Sequence, residues 1–91
     1  MNREERIAAI RIALETALHP ESLEIVDDSA RHAGHAGARD GRGHFKVRIV
    51  STAFVGKGLV ARHRAVYDAL DTLMQTEIHA LQIEARTPAE Q

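Results

Sequence analysis

Cysteine is absent from this chain, which removes disulfides, thiol nucleophiles and every thiolate metal site from consideration. Any metal held here needs imidazole, carboxylate or a ligand supplied by a second molecule. Aromatic residues are scarce as well: two Phe, one Tyr and no Trp, so the core has to be built from Ile, Leu, Val and Ala. No apolar run approaches the roughly 18–20 residues that cross a bilayer. Met1-Asn2-Arg3-Glu4-Glu5 opens an amphipathic helix instead of a signal peptide, and its acids argue against an organellar transit sequence. A cytoplasmic protein is the simplest expectation. Catalytic signatures are missing too: there is no glycine-rich nucleotide fingerprint, no His-Glu-x-x-His pair and no serine in a nucleophile-elbow setting. The sequence offers no signature of an enzyme.

What is present fits one domain. Ninety-one residues bury one modest core, so 1–91 is read as a single domain with an N-terminal helical segment over 1–22 and a tail over 88–91. The net charge of −1 conceals an uneven distribution. Residues 1–28 carry three Arg against seven acids, a net of −4. Residues 39–64 carry Arg39, Arg42, Lys46, Arg48, Lys57, Arg62 and Arg64 against Asp40 alone, and residues 65–91 return to a net of −4. A basic middle between acidic flanks favours a local anionic partner over wholesale nucleic-acid coating. Lys46 and Arg48 are equally well explained as the solvated face of a sheet.

Asn2 followed by Glu5 forms a capping box, and Ile7, Ile10, Leu14 and Ala17 or Leu18 then define one apolar stripe. Pro20 ends this helix near Leu18. Leu23, Ile25 and Val26 make a short strand. The stretch 30–43 contains four glycines and no large apolar residue, so it is expected to be a long, mobile loop, of a length that is often functional. Phe45, Val47 and Ile49 alternate with Lys46, Arg48 and Val50 in a second strand. Gly56 and Gly58 break the chain. Leu59, His63, Val66, Leu70 and Leu73 then fall at helical spacing, and a third strand places His79, Leu81, Ile83 and Ala85 on one side. The order helix, strand, strand, helix, strand predicts an α+β fold. Its first two strands pair antiparallel and its third joins in parallel after a right-handed crossover, with the helices packed on one face.

Six histidines in such a chain raise the question of metal binding, but they are not equivalent. His19 precedes Pro20 at a helix end, where a protonated ring suits the helix dipole. His63 lies on an apolar stripe and reads as a packed, satisfied ring. His44 begins a strand beside the glycine-rich loop and leaves both readings open. His32 and His35 are three residues apart in that loop, a weak signal by itself. His79 stands at the mouth of the third strand, where partial burial would favour the neutral imidazole that ligates metal; a strand-end histidine bonded to a backbone carbonyl explains it as well.

His44-Phe45-Lys46-Val47, Phe54-Val55-Gly56, Arg62-His63-Arg64-Ala65-Val66-Tyr67 and Ile78-His79-Ala80-Leu81, in this order over residues 23–88, resemble the BolA family. The resemblance implies an αββαβ architecture similar to the class II KH fold, with a three-stranded mixed sheet. It also implies partnership with a monothiol glutaredoxin, the two proteins bridged by a 2Fe–2S cluster in iron–sulfur trafficking, assembly or iron sensing. The glutaredoxin would supply its cysteine and a bound glutathione thiolate. This chain would supply His79 and a loop histidine, His35, with His32 as the alternate. No cluster is expected in the isolated protein. His63, Gly56 and Tyr67 fall to structural roles, with His63, Arg62 and Arg64 framing the site and the basic surface. Since the family is also associated with transcriptional regulation of stress response and morphology in bacteria, the rival function is DNA binding through Lys46, Arg48, Lys57, Arg62 and Arg64. The KH phosphate clamp is a Gly-x-x-Gly loop between helices, whereas the break here is Gly56-Lys57-Gly58. The chain is thus expected to be a cytoplasmic, bacterial, BolA-like adaptor.

Overall fold

A computed structural model describes residues 1–29 and 41–91. The chain runs through helix α1 (Arg3–Leu18), strand β1 (Ser22–Asp27), strand β2 (Gly43–Val50), a 3-10 turn (Thr52–Phe54), helix α2 (Leu59–Leu70), the single-turn helix α3 (Leu73–Thr76), strand β3 (Ile78–Arg86) and a 3-10 turn (Pro88–Glu90). The capping box forms as the sequence predicts: the Asn2 side chain accepts the Glu5 N–H while the Glu5 side chain accepts the Asn2 N–H. At the other end His19 adopts left-handed geometry, φ 45°, and its N–H closes on the Glu15 carbonyl. Pro20 cannot continue the helix, and the left-handed residue before it supplies a common form of helix cap.

Strand order is β1-β2-β3, with β1 antiparallel and β3 parallel to the central β2. This is the predicted mixed sheet. Register places Leu23, Ile49 and Ala85 side by side, then Ile25, Val47 and Ile83, on the face that receives α1 and α2. Ile10 and Leu14 of α1, Val66 and Leu70 of α2, and Phe54 from the 3-10 turn complete the core, each buried to within a percent. A fully buried side chain of this size contributes about 1.5–3 kcal/mol. Ser51 is a fully buried polar residue: its hydroxyl donates to the Leu18 carbonyl at 2.6 Å and accepts from the Ala53 N–H at 3.0 Å. One side chain thereby satisfies an orphan carbonyl of α1 and caps the next turn.

Three details depart from the sequence reading. The apolar spacing from Leu59 to Leu73 does not mark one buried stripe, because Leu59 is 66% exposed and the helix stops at Leu70. Asp71, at φ 51°, ends it, and Leu73 belongs to α3. Secondly, β2 begins at Gly43, the last residue of the stretch read as loop. Thirdly, the segment read as a tail forms a capped 3-10 turn, in which Glu90 accepts from the Thr87 N–H at 2.7 Å. Gly56 does break the chain as expected, with φ 79°, a conformation open to glycine.

Asp71, at φ 51° and ψ −125°, holds a backbone geometry that costs an L-residue roughly 1–3 kcal/mol. Asp71→Gly is expected to raise stability by about 1 kcal/mol, read as a higher urea midpoint with an unchanged denaturant slope.

Candidate functional site

The two stems of the segment 30–40 meet at one end of the sheet, where β2 and β3 begin. On the first stem, Asp27 accepts the Ser29 N–H at 2.8 Å, a side-chain turn that closes β1. The Arg3 guanidinium meets its other oxygen at 3.1 Å. Burial pushes the Asp27 carboxyl up, but the bonds from Ser29 and the charges of Arg3 and Arg6 outweigh it and leave the group below its ordinary value. Ser29 in turn accepts the His44 N–H at 3.0 Å, and the Asp28 N–H donates to the His44 carbonyl at 2.7 Å. On the second stem, Arg6 donates to the Gly41 carbonyl and pairs with Glu77 at 3.0 Å. The hydrogen bond from Arg6 holds the Glu77 carboxyl below its ordinary value, against an opposing effect of desolvation.

His79 owes its position to a break in register. Gly43 pairs with Ile78, but His44 pairs with Ala80, so His79 is an extra residue on β3. Bulges of this kind in parallel pairs are rare and re-aim side chains. Here the slip lets Ile78 reach the core, fully buried, while Leu81 and Ile83 face the same way. His79 is turned out to solvent, which corrects the expectation of a partly buried ring. Its ring centroid lies 5.1 Å from that of His44, tilted by 49°. Arg42 stands against it: one guanidinium nitrogen is 3.2 Å from His79 Nδ1 and another donates to the Gln75 carbonyl at 3.3 Å.

Of the sequence-predicted ligands, His79 is therefore at the surface, while His35 and His32 lie outside the described residues. Among the described residues no three His, Cys, Asp or Glu side chains come together as a metal site. Two residues that the sequence did not single out as site members join His79: Arg42, and His44, which is only 8% exposed. Their proximity is set by the register slip, which no local pattern announces.

The basic set divides. Arg48 sits in a ladder across the open face of the sheet, 4.0 Å from Glu24 and bonded to Glu84, which also takes Arg86 at 3.0 Å. Arg48's bond is the main reason that the Glu84 carboxyl lies below its ordinary value. Arg62 does not frame the His79 site. It is forked onto Glu90 and donates to the Lys57 and Ala85 carbonyls, six residues farther along β3, about 20 Å at strand rise. Lys57 donates to the Ala53 carbonyl at 3.2 Å. Lys46 is half-buried on β2, and Arg64 is exposed on α2. His63, half-buried, keeps Nε2 out of solvent with no hydrogen-bond partner among the described residues, so the expected satisfaction of that ring fails at this nitrogen. Tyr67 is 40% exposed and lines a shallow groove with Val60, His63 and Arg64, which makes it a surface residue.

The family described as BolA-like protein matches residues 14–90. The chain is 52% identical over 86 residues to SufE-like protein 1, chloroplastic/mitochondrial, of Arabidopsis thaliana, covering 89% of this chain and 23% of that protein. The solved BolA domain of SufE1 from Arabidopsis thaliana superposes with a TM-score of 0.83 at 45% identity, covering 100% of this chain and 99% of that one. The DNA-binding transcriptional regulator BolA of Escherichia coli (strain K12) is 40% identical over 74 residues, 81% of this chain and 68% of that protein. The chain thus spans under a quarter of the Arabidopsis relative, but nearly all of its solved domain.

Two expectations follow. The Arg62 fork and the Thr87 N–H lower the Glu90 carboxyl from 4.5 to about 2. A depressed carboxylate contributes stability that is complete above the unfolded value and lost as pH falls through the folded one. The C-terminal turn should therefore stay docked at pH 4.5 and release toward pH 2, with the Glu90 carboxyl carbon titrating near 2 by NMR. In Arg62→Ala that titration should return toward the ordinary range. Separately, a Cβ on Gly43 would stand 2.5 Å from Phe45 Cε2 and 2.8 Å from Cζ, and that ring is buried. Gly43→Ala should cost about 1–3 kcal/mol and shift the His79 and Ala80 amide resonances.

Proposed function

We propose that this chain, which belongs to the BolA-like family, is a non-enzymatic cytoplasmic adaptor that shares a 2Fe–2S cluster with a glutathione-loaded monothiol glutaredoxin. The cluster is its cargo in iron–sulfur trafficking or its signal in iron sensing. The observation that carries this reading is the exposed His79 imidazole at the sheet end where both stems of 30–40 are pinned. An exposed imidazole with no metal-binding trio of His, Cys, Asp or Glu side chains among the described residues suits a shared group better than a resident one. His35 stands six residues from Ser29 and from Gly41, a tether of at most roughly 20 Å on either side, and is the second nitrogen donor of the proposal. His32 is the alternate. The glutaredoxin and its glutathione supply the sulfur donors that a chain without cysteine lacks.

Imidazole in place of thiolate leaves a cluster less negative and raises its reduction potential. Protons also compete for imidazole near neutral pH. Both properties suit transfer or sensing more than permanent electron storage. Titration with a glutaredoxin carrying the cluster, followed by visible absorption and circular dichroism, tests the reading. His79→Ala should abolish the spectrum of the mixed complex, and His35→Ala should alter it more than His32→Ala. Purified alone, the protein should be colourless. A mixed-complex spectrum indifferent to His79→Ala would overturn the proposal.

A second reading, DNA binding, takes its support from the name of the Escherichia coli relative and from Lys46 and Arg64, for which no internal salt bridge is seen among the described residues. Arg48 and Arg62 are already committed to carboxylates, which leaves a thin basic surface for a polyanion. Affinity for duplex DNA that falls steeply with salt, and falls again in Lys46→Ala and Arg64→Ala, would favour this reading.

A further inference from the structure

We infer that Arg42 occupies the ligand nitrogen of His79 and has to leave before iron binds, so that this arginine sets how tightly the shared cluster is held. The inference rests on the reading of His79 as a ligand. An arginine guanidinium carries five N–H donors and no acceptor, and stays protonated in proteins. Its nitrogen at 3.2 Å from Nδ1 is therefore a donor, and Nδ1 faces it with a lone pair. In the neutral ring the proton then resides on Nε2.

Neither route to iron is open in that arrangement. Ligation through Nδ1 needs the lone pair that Arg42 holds. Ligation through Nε2 needs the proton moved to Nδ1, where an N–H would then point at another N–H. A ligating histidine ordinarily gives its second ring N–H to a carboxylate, a carbonyl or water, which fixes the tautomer and raises the basicity of the donor. At Nδ1 the neighbour is of the opposite kind, a cationic donor. The exchange would balance as a ligand substitution: one N–H···N hydrogen bond breaks and the freed guanidinium N–H passes to water, one Fe–N bond forms as one Fe–S bond to a departing thiolate breaks, and no oxidation state changes. Arg42 is placed for this by its second bond, to the Gln75 carbonyl, which steadies the guanidinium over the ring.

Two measurements on the 91-residue chain test the inference. Long-range proton–nitrogen NMR of the metal-free protein, under alkaline conditions, should show His79 with a protonated Nε2 and a bare Nδ1. That preference should relax in Arg42→Ala. In the titration with cluster-loaded, glutathione-bound glutaredoxin, Arg42→Ala should bind roughly two- to fivefold more tightly, the range of one exposed charge-assisted contact, with the visible dichroism unchanged in shape. A protonated Nδ1 in the wild type, or an Arg42→Ala affinity equal to or weaker than wild type while His79→Ala abolishes the spectrum, overturns the inference and leaves the ligand role standing. A spectrum untouched by His79→Ala overturns the ligand role and this inference with it.

Discussion

The one-residue slip between β2 and β3 is the constraint on which the functional end of the molecule depends. In an unbroken strand, alternation would put Ile78 on the face opposite Leu81 and Ile83, at the cost of a core position. The slip allows all three to face the helices, with Ile78 fully buried. The surplus residue, His79, has nowhere to go but outward. Gly43 permits this because a side chain there would collide with the Phe45 ring. An imidazole at the surface is thus the by-product of a packing requirement on its neighbours.

The segregation of charge along the chain acquires a second meaning in three dimensions. Acids of the flanks meet cations elsewhere in the fold: Glu24 and Glu84 with Arg48, Glu90 with Arg62, Glu77 with Arg6, and Asp27 with Arg3. Most of these pairs are partly exposed and contribute little each to stability. Their effect is positional. Two of them brace the stems around His79, one latches the C-terminal turn, and the Arg48 ladder neutralises much of the sheet's open face.

Much of the fold could be read from the sequence because its signals are local. The Asn2–Glu5 cap, the stop at Pro20 and the alternation in Phe45–Val47–Ile49 each need only a few neighbouring residues. The parallel placement of β3 followed from the intervening helix. What escaped was set by long-range partners. Spacing alone could not reveal that Asp71 divides the helix, since Leu73 continues the period across the break. Arg62 looked like a surface cation because Glu90 lies 28 residues away. Likewise, Arg42 and His44 meet His79 only through the strand register, so the sequence showed a lone histidine where the structure has a crowded one.

The Met1 amine lies 3.6 Å from Glu77, beside the His79 end, whereas Glu90 is clasped by Arg62 at the opposite pole of β3. The two chain ends are therefore not equivalent as attachment points. Polypeptide joined after Gln91 would emerge from the pole remote from the imidazole and leave it open to a visiting protein. Polypeptide joined ahead of Met1 would remove the amine's charge and start beside Glu77, at the imidazole's end of β3, so the order of modules in any fusion would bear on access.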